Sequence, residues 1–227
     1  MFYPSIKKYY DSIFPLNQTQ VEFVKRRFNK SDKLIEIGCA NGKLTHALNK
    51  FDILGVDIEQ DFIDEAKNRY EDMTFKQLNM LDIDTLGKFD GIVCFGNTLV
   101  HLSKENIEKF IKKSSNQLNS KGRILIQILN YQHILDKKIT ELPLIDNDFL
   151  SFKRSYRFKE TLKFDTELTI KKTNQTVNNT IDLYPLTLSE LTSILEVSGF
   201  TSIKTYSDFK ESEFNTNSLR LIITANK

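Results

Sequence analysis

"LIEIGCANGKLT", residues 34–45, carries an apolar run, Leu34, Ile35 and Ile37, into Gly38. The chain reaches a second glycine at Gly42 and leaves through Lys43, Leu44 and Thr45, the start of an amphipathic stretch. The order is strand, glycine-rich turn, helix. In open α/β sheets that order marks a place where ligands sit, beyond the carboxyl end of the strand, because glycine lets the backbone approach them closely.

Outward from this turn, short apolar runs alternate with amphipathic ones. "KLIEI" (33–37), "DILGVD" (52–57), "TFKQLN" (74–79), "FDGIVCFG" (89–96) and "GRILIQIL" (122–129) read as strands. Between them, "GKLTHALNK" (42–50), "QDFIDEAKNRY" (60–70) and "SKENIEKFIKKSSNQL" (103–118) read as helices, the last capped by Ser103. Strands alternating with helices predict an α/β fold with a doubly wound, mostly parallel sheet. After Asn130 the period changes to two. "FLSFKRSYRF", "TLKFDTELTIKK" and "NQTVNNTIDLYPL" predict antiparallel strands inserted after the fifth strand. A helix opened by a Thr187–Glu190 capping box and closed by Gly199 follows. "TSIKTYSDF" and "SLRLIITANK" then predict a terminal hairpin, completing a seven-stranded sheet.

The totals bound what this fold can do. The chain has 227 residues, 40% hydrophobic and 27% charged, enough for a sizeable core. The net charge of +2 argues against a large nucleic-acid footprint, so no nucleic-acid partner is expected. The cysteines, Cys39 and Cys94, make neither a metal motif nor a disulfide framework, and no metal is expected. No run approaches the ~20 apolar residues of a membrane span, and "MFYPSIKKYYDSIFPLNQ" lacks a signal-peptide core. The expectation is a cytoplasmic protein, monomer or homodimer, without membrane contact.

Two familiar ligand loops fail on the turn itself. A phosphate-gripping loop needs four residues between its glycines and then Lys-Ser/Thr; here there are three, and Leu44 follows Lys43. A dinucleotide fingerprint needs glycine at Ala40 and Lys43. Ala40 is tolerable if its φ is negative and costly if positive; the site is expected to survive it. Asp57 ends the second strand about 20 residues on, where a carboxylate accepts from ribose hydroxyls.

Glu36, Gly38, Ala40 and Gly42 resemble the first motif of the class I S-adenosylmethionine (SAM)-dependent methyltransferases, an acid, one apolar residue, then G-x-G-x-G. "FDGIVCFGNTLVHL" (89–102) resembles a later motif of the glycine N-methyltransferase-like group, in which a strand ends in Gly-Asn-Ser/Thr and a histidine follows. The resemblance covers residues 30–130. It implies a Rossmann-like methyltransferase fold with SAM as cofactor and S-adenosylhomocysteine (SAH) as product. It places Asp57 and Ile58 at the ribose end, Asn79 and Met80 at the adenine with Asp82 as the alternative, and Phe95 and Gly96 near the sulfonium. Asn97 would meet a nucleophile, with His101 the candidate base. "YYDSIFP" resembles a lid helix, so that Tyr9 and Tyr10 would close the site, Tyr10 near the chemistry and Tyr9 at the substrate.

The implied organisation is an N-terminal helical lid (1–30), a SAM-binding domain (31–130 and 186–227), and a β insertion (131–185) shaping the acceptor pocket with Tyr131, Tyr156 and Tyr184. The implied function is N- or O-methylation of a small-molecule acceptor. A non-catalytic SAM-fold binding or sensor protein, and a methyltransferase acting on a macromolecule, are the alternatives. "ILNYQHIL" matches the group's fifth-strand end, but Leu129 stands where the group has a carboxylate-gripping arginine. Arg154 and Arg157 read mainly as surface residues, with Arg154 kept as a candidate substitute anion contact. The Asn/Asp-Pro-Pro-Tyr/Phe signature of nucleic-acid base methylation is absent.

Overall fold

The computed structural model describes residues 6–227. After a 3-10 turn at Lys7–Tyr9 come α1 (Tyr10–Ile13) and α2 (Gln18–Lys25), the latter capped where Asn17 Oδ1 accepts from Thr19 N at 2.9 Å. The alternating region follows: β1 (Lys33–Ile37), α3 (Lys43–Ala47), β2 (Asp52–Asp57), α4 (Gln60–Arg69), β3 (Thr74–Gln77), β4 (Phe89–Cys94), α5 (Lys104–Gln117) and β5 (Leu118–Leu129). The first five residues of the expected 1–30 lid lie outside the described residues.

Between β5 and the antiparallel strands of the insertion lies a helix that the sequence reading did not name, α6 (Tyr131–Asp136). Asn130 caps it, accepting from His133 N at 3.3 Å, and Tyr131 and Ile134 give it a buried side one turn apart. Only then come β6 (Ile145–Asp146), β7 (Leu150–Phe158), β8 (Leu162–Ile170) and β9 (Gln175–Leu183), an antiparallel four-stranded sheet. The chain closes with α7 (Leu188–Val197), β10 (Thr201–Tyr206) and β11 (Arg220–Asn226); both halves of the α7 capping box are formed.

The main sheet runs β10-β11-β5-β4-β1-β2-β3. β1 to β5 pair in parallel, and β11 runs antiparallel to both β5 and β10. Its central strands are apolar on both faces because helices cover both. Ile35, Ile92 and Ile126 pack with α5 and α7, whereas Leu34, Val93 and Leu125 pack with α2 and α3. The first of these cores also takes in Tyr156, Leu162 and Leu183 of the insertion, so the small sheet is anchored in the main core. No helix among the described residues is long and apolar enough to cross a membrane.

Candidate functional site

β1 pairs with β2 on one side and with β4 on the other, so the chain winds away in opposite directions from the β1–β4 seam. The turn after β1 and the turn after β4 therefore meet. A Cβ on Gly38 would lie 2.6 Å from the Thr98 side chain, and Gly38 has a φ of +74°. Any larger residue would drive the two turns apart.

The first turn is held by its own backbone. Gly38 N and Cys39 N both donate to Val56 O, at 2.8 and 3.0 Å, and Gly42 N donates to Cys39 O at 2.9 Å. Ala40 N donates to Asp57 Oδ2 at 2.8 Å, and Glu59 N to Asp57 Oδ1 at 3.0 Å. Burial raises the Asp57 carboxyl while these N–H donors oppose the shift. Each oxygen keeps a second lone pair, the arrangement a pair of ribose hydroxyls needs. Ala40 has a φ of +46°, the costly sign of the two considered from sequence; the bond to Asp57 holds it there.

Glu36 is enclosed beneath the turn, where Thr45 Oγ1 donates to its Oε2 at 2.5 Å. Burial, with Asp57 adding to it, pushes its carboxyl up to about 7. Beside Asp57, the Ile58 side chain is 59% exposed, an apolar surface at the same strand end. Asn79 Oδ1 accepts from Leu81 N at 3.0 Å and so caps the 3-10 turn Met80–Thr85; a carbonyl oxygen has a second lone pair for an exocyclic amine. Met80 is half-buried and Asp82 exposed on that turn.

The second turn is stapled to β5. Gly96 N donates to Gln127 Oε1 at 2.9 Å, and Asn97 N to Gln127 O at 3.2 Å. Phe95 is buried against Phe23 and Phe209, while Gly96 is exposed. Asn97, with a φ of +66°, uses both ends of its amide. Leu129 N donates to its Oδ1 at 2.9 Å, and its Nδ2 donates to Tyr131 Oη at 2.8 Å. It is a bridge between β4, β5 and α6 rather than a loose polar tip. The Tyr131 ring is fully enclosed, correcting its expected place on the acceptor surface: its hydroxyl accepts from Asn97 Nδ2, and the Tyr156 ring lies 6.5 Å away.

His101 ends a 3-10 turn at Thr98–His101. It is exposed, and desolvation by surrounding atoms lowers its pKa. Tyr184 Oη donates to Glu190 Oε1 at 2.7 Å, which commits that hydroxyl to the start of α7. Tyr10 packs between Phe14 and Phe62, with centroids at 5.2 and 4.9 Å, and Tyr9 joins the cluster linking the N-terminal segment to β7 and β8.

Sequence reasoning missed two partners of the site. Gln127 was visible only as a polar residue within the apolar "ILIQIL" run. Asp11 was hidden because its partners are distant: it accepts from Asn41 Nδ2 at 2.7 Å and pairs with Lys43 and Arg69 at 2.8 and 2.6 Å. No group of metal-binding side chains occurs among the described residues.

Residues 34–122 match the family model described as "Methyltransferase domain". The chain is similar to a glycine/sarcosine/dimethylglycine N-methyltransferase of Actinopolyspora halophila, 27% identical over 58% of this chain and 23% of the relative. It is also similar to a glycine/sarcosine N-methyltransferase of Aphanothece halophytica, 28% identical over 55% of this chain and 46% of the relative. The chain thus spans less than half the length of these relatives. A crystal structure of an S-adenosylmethionine-dependent methyltransferase from Clostridium acetobutylicum superposes with a TM-score of 0.83, covering 99% of this chain and 98% of that one at 15% identity. At that identity the superposition speaks for the fold.

Proposed function

From the premise that residues 34–122 are a class I S-adenosylmethionine-dependent methyltransferase domain, we propose that the protein transfers a methyl group from SAM to a small-molecule acceptor, at nitrogen in preference to oxygen. The observation that carries this reading is the meeting of the Gly38–Gly42 turn, held on Asp57, with the Gly96–Asn97 turn, held on Gln127. One side supplies a paired hydroxyl acceptor and an exposed apolar flank at Ile58 for a nucleoside; the other supplies an exposed backbone glycine where a methyl donor has to approach. The N-methyltransferase relatives favour nitrogen.

Bound SAM supplies an electrophilic methyl on a sulfonium, and the protein's share is orientation and exclusion of water. Asp57 orients the ribose. Asn97 fixes the end of β4 against β5 and Tyr131, so that the acceptor side has one geometry. His101, its pKa lowered, is largely neutral near pH 7 and suited to accept a proton from an ammonium or hydroxyl. Tyr10, Phe14 and the insertion close the site from the N-terminal side.

Thermal unfolding with SAH tests the reading. At ~100 times its dissociation constant SAH stabilises by roughly 2.7 kcal/mol, a shift of about 5–10 °C for a chain of this size. Asp57→Ala is expected to abolish most of the shift while remaining folded. No shift of the native protein in millimolar SAH would overturn the cofactor assignment.

A further inference from the structure

The edge of a sheet presents a row of unpaired backbone N–H and C=O groups, a template for a further strand. Chains that must stay apart blunt such edges with short strands, bulges, proline or lysine. Three of the four sheet edges here are blunted. β3 has four residues and β6 two. β10 carries Lys204 and slips register between Thr201 and Lys204, with Ser202 at a φ of +50°. The fourth edge, β9, is nine residues long and pairs with β8 from end to end without a slip. It contains no proline and no basic residue, and among the described residues no strand lies along its other side. Its single charge, Asp182, is already matched by Lys163 of β8 at 2.6 Å.

The strand is also its own complement. Laid antiparallel on a second copy, it pairs over its full length in one register, the one that turns about its middle residue, Asn179. Val177 then faces Ile181 of the copy, Asn178 faces Thr180, and Thr176 faces Asp182. On β8, Val177 stands opposite Leu168 and Ile181 opposite Phe164. The half-buried apolar row therefore runs on across the seam, from Phe164 and Ile181 to the copy's Val177 and Leu168. On the exposed face, the Lys163–Asp182 pair meets the copy's Thr176, whose hydroxyl can donate to the carboxylate. No charge on the seam faces one of its own sign. Moving the axis to Asn178 unpairs both ends of the seam and sets Val177 and Ile181 against Asn179 and Gln175, so side-chain matching and pairing length select the same register.

We propose that β9 is an interaction surface for a second copy of this chain: two copies join β9 to β9 in antiparallel register about a two-fold axis at Asn179, and their four-stranded sheets become one continuous sheet. A two-fold contact of this kind uses the same patch on both subunits and closes at the dimer. Pairing the edge satisfies its backbone groups and removes the exposed template. It needs no part of the catalytic reading, because the complementarity lies wholly in the insertion.

Sedimentation equilibrium of the full chain across the micromolar range tests the pairing. The native protein is expected to reach twice its 26.4 kDa. Asn178→Lys combined with Thr180→Lys opposes lysine to lysine across the axis and is expected to weaken the dimer by a factor of about ten or more. Both positions are exposed, and each lysine gains an acid across the strand pair, Glu167 or Asp165, so the variant keeps its fold, checked by near-ultraviolet dichroism. Register is read separately by oxidative cross-linking. A mixture of the Asn178→Cys and Thr180→Cys proteins is expected to form a disulfide-linked dimer faster than either protein alone, since these two positions face each other across the seam; the native Cys39 and Cys94 are buried. Three results would each overturn β9-to-β9 pairing. A native protein that stays at 26.4 kDa leaves the edge to a strand of a different chain. A native dimer untouched by the lysines places the contact on another surface. Cross-linking no faster in the mixture than in its components denies the register.

Discussion

Ala40 shows how one methyl group bears on the site. At a φ of +46° an L-residue pays about 1–2 kcal/mol over glycine, whereas glycine loses roughly 0.4–1 kcal/mol through the freedom of its unfolded chain. The difference favours Ala40→Gly by about 0.5–1 kcal/mol, to be read from urea denaturation midpoints; an Ala40→Gly protein less stable than the parent would refute the strain. Beneath it, Glu36 makes a pH prediction. Its carboxyl is raised from an ordinary 4.5 to about 7 by burial, so the folded state holds a proton that the unfolded state releases. Between those values the unfolded chain binds fewer protons, and stability falls as pH rises from 4.5 through 7. Glu36→Gln is expected to flatten that fall and to exceed the parent at pH 8 by up to about 3 kcal/mol. Parallel stability curves for the two proteins from pH 4.5 to 8 would contradict it. The motif positions here were legible in the chain, because glycine spacing and a strand-end acid are local. Whether Ala40 would sit at positive or negative φ was not, since a bond from residue 40 to residue 57 decides it.

At the scale of elements, α1 is too short to be stable alone, and one turn of helix in water is far below the length that holds. Its order comes from elsewhere. Ile13 and Phe14 pack with Leu150, Phe152 and Leu168 of the insertion, and Asp11 joins Lys43, Asn41 and Arg69 around the glycine-rich turn. Although burial opposes it, the hydrogen bonds from Lys43, Asn41 and Arg69 hold the Asp11 carboxyl down to about 2. A depressed acid lends its stability above its ordinary 3.8 and loses it as pH falls toward 2, so the docking is fully formed at neutral pH. The carboxylate is 44% exposed, and after solvent screening its ion pairs and the Asn41 bond together are worth about 1–2 kcal/mol. Asp11→Asn is therefore expected to speed hydrogen exchange of the Phe14 amide about tenfold at pH 7, with core β4 and β5 amides unchanged; equal exchange would mean the apolar contacts suffice. The strand-and-helix rhythm that forecast β1 to β5 is a property of neighbouring residues. The α1 latch, α6 and the Asn97 bridge depend on partners 30 or more residues away, which periodicity does not register.

For the whole molecule the question is whether the insertion is an appendage or part of one cooperative unit. Tyr156, Leu162 and Leu183 lie in the same buried cluster as Ile92, Ile126 and Phe110, and Tyr184 N donates to Val100 O at 2.9 Å. The inner face of the small sheet, through Leu150 and Phe152, also holds the N-terminal segment, which in turn is latched to the turn after β1. Separating the sheets would expose apolar side chains of both, each worth about 1.5–3 kcal/mol when fully buried, and would strand the Tyr131–Tyr156 contact behind Asn97. The sequence disclosed the insertion's period-two strands yet left open what they pack on, because the residues that face the main core are spaced like any half-buried strand. This shared core predicts a single unfolding transition. Far-ultraviolet dichroism, dominated by both sheets and the helices, and a fluorophore placed at exposed Phe158 of β7 should report the same midpoint, with calorimetric and van't Hoff enthalpies equal. Two separated midpoints, with the label melting first, would mean that the insertion folds on its own. The acceptor side would then be free to open without disturbing the SAM side, and the geometry set by Asn97 would no longer be shared between them.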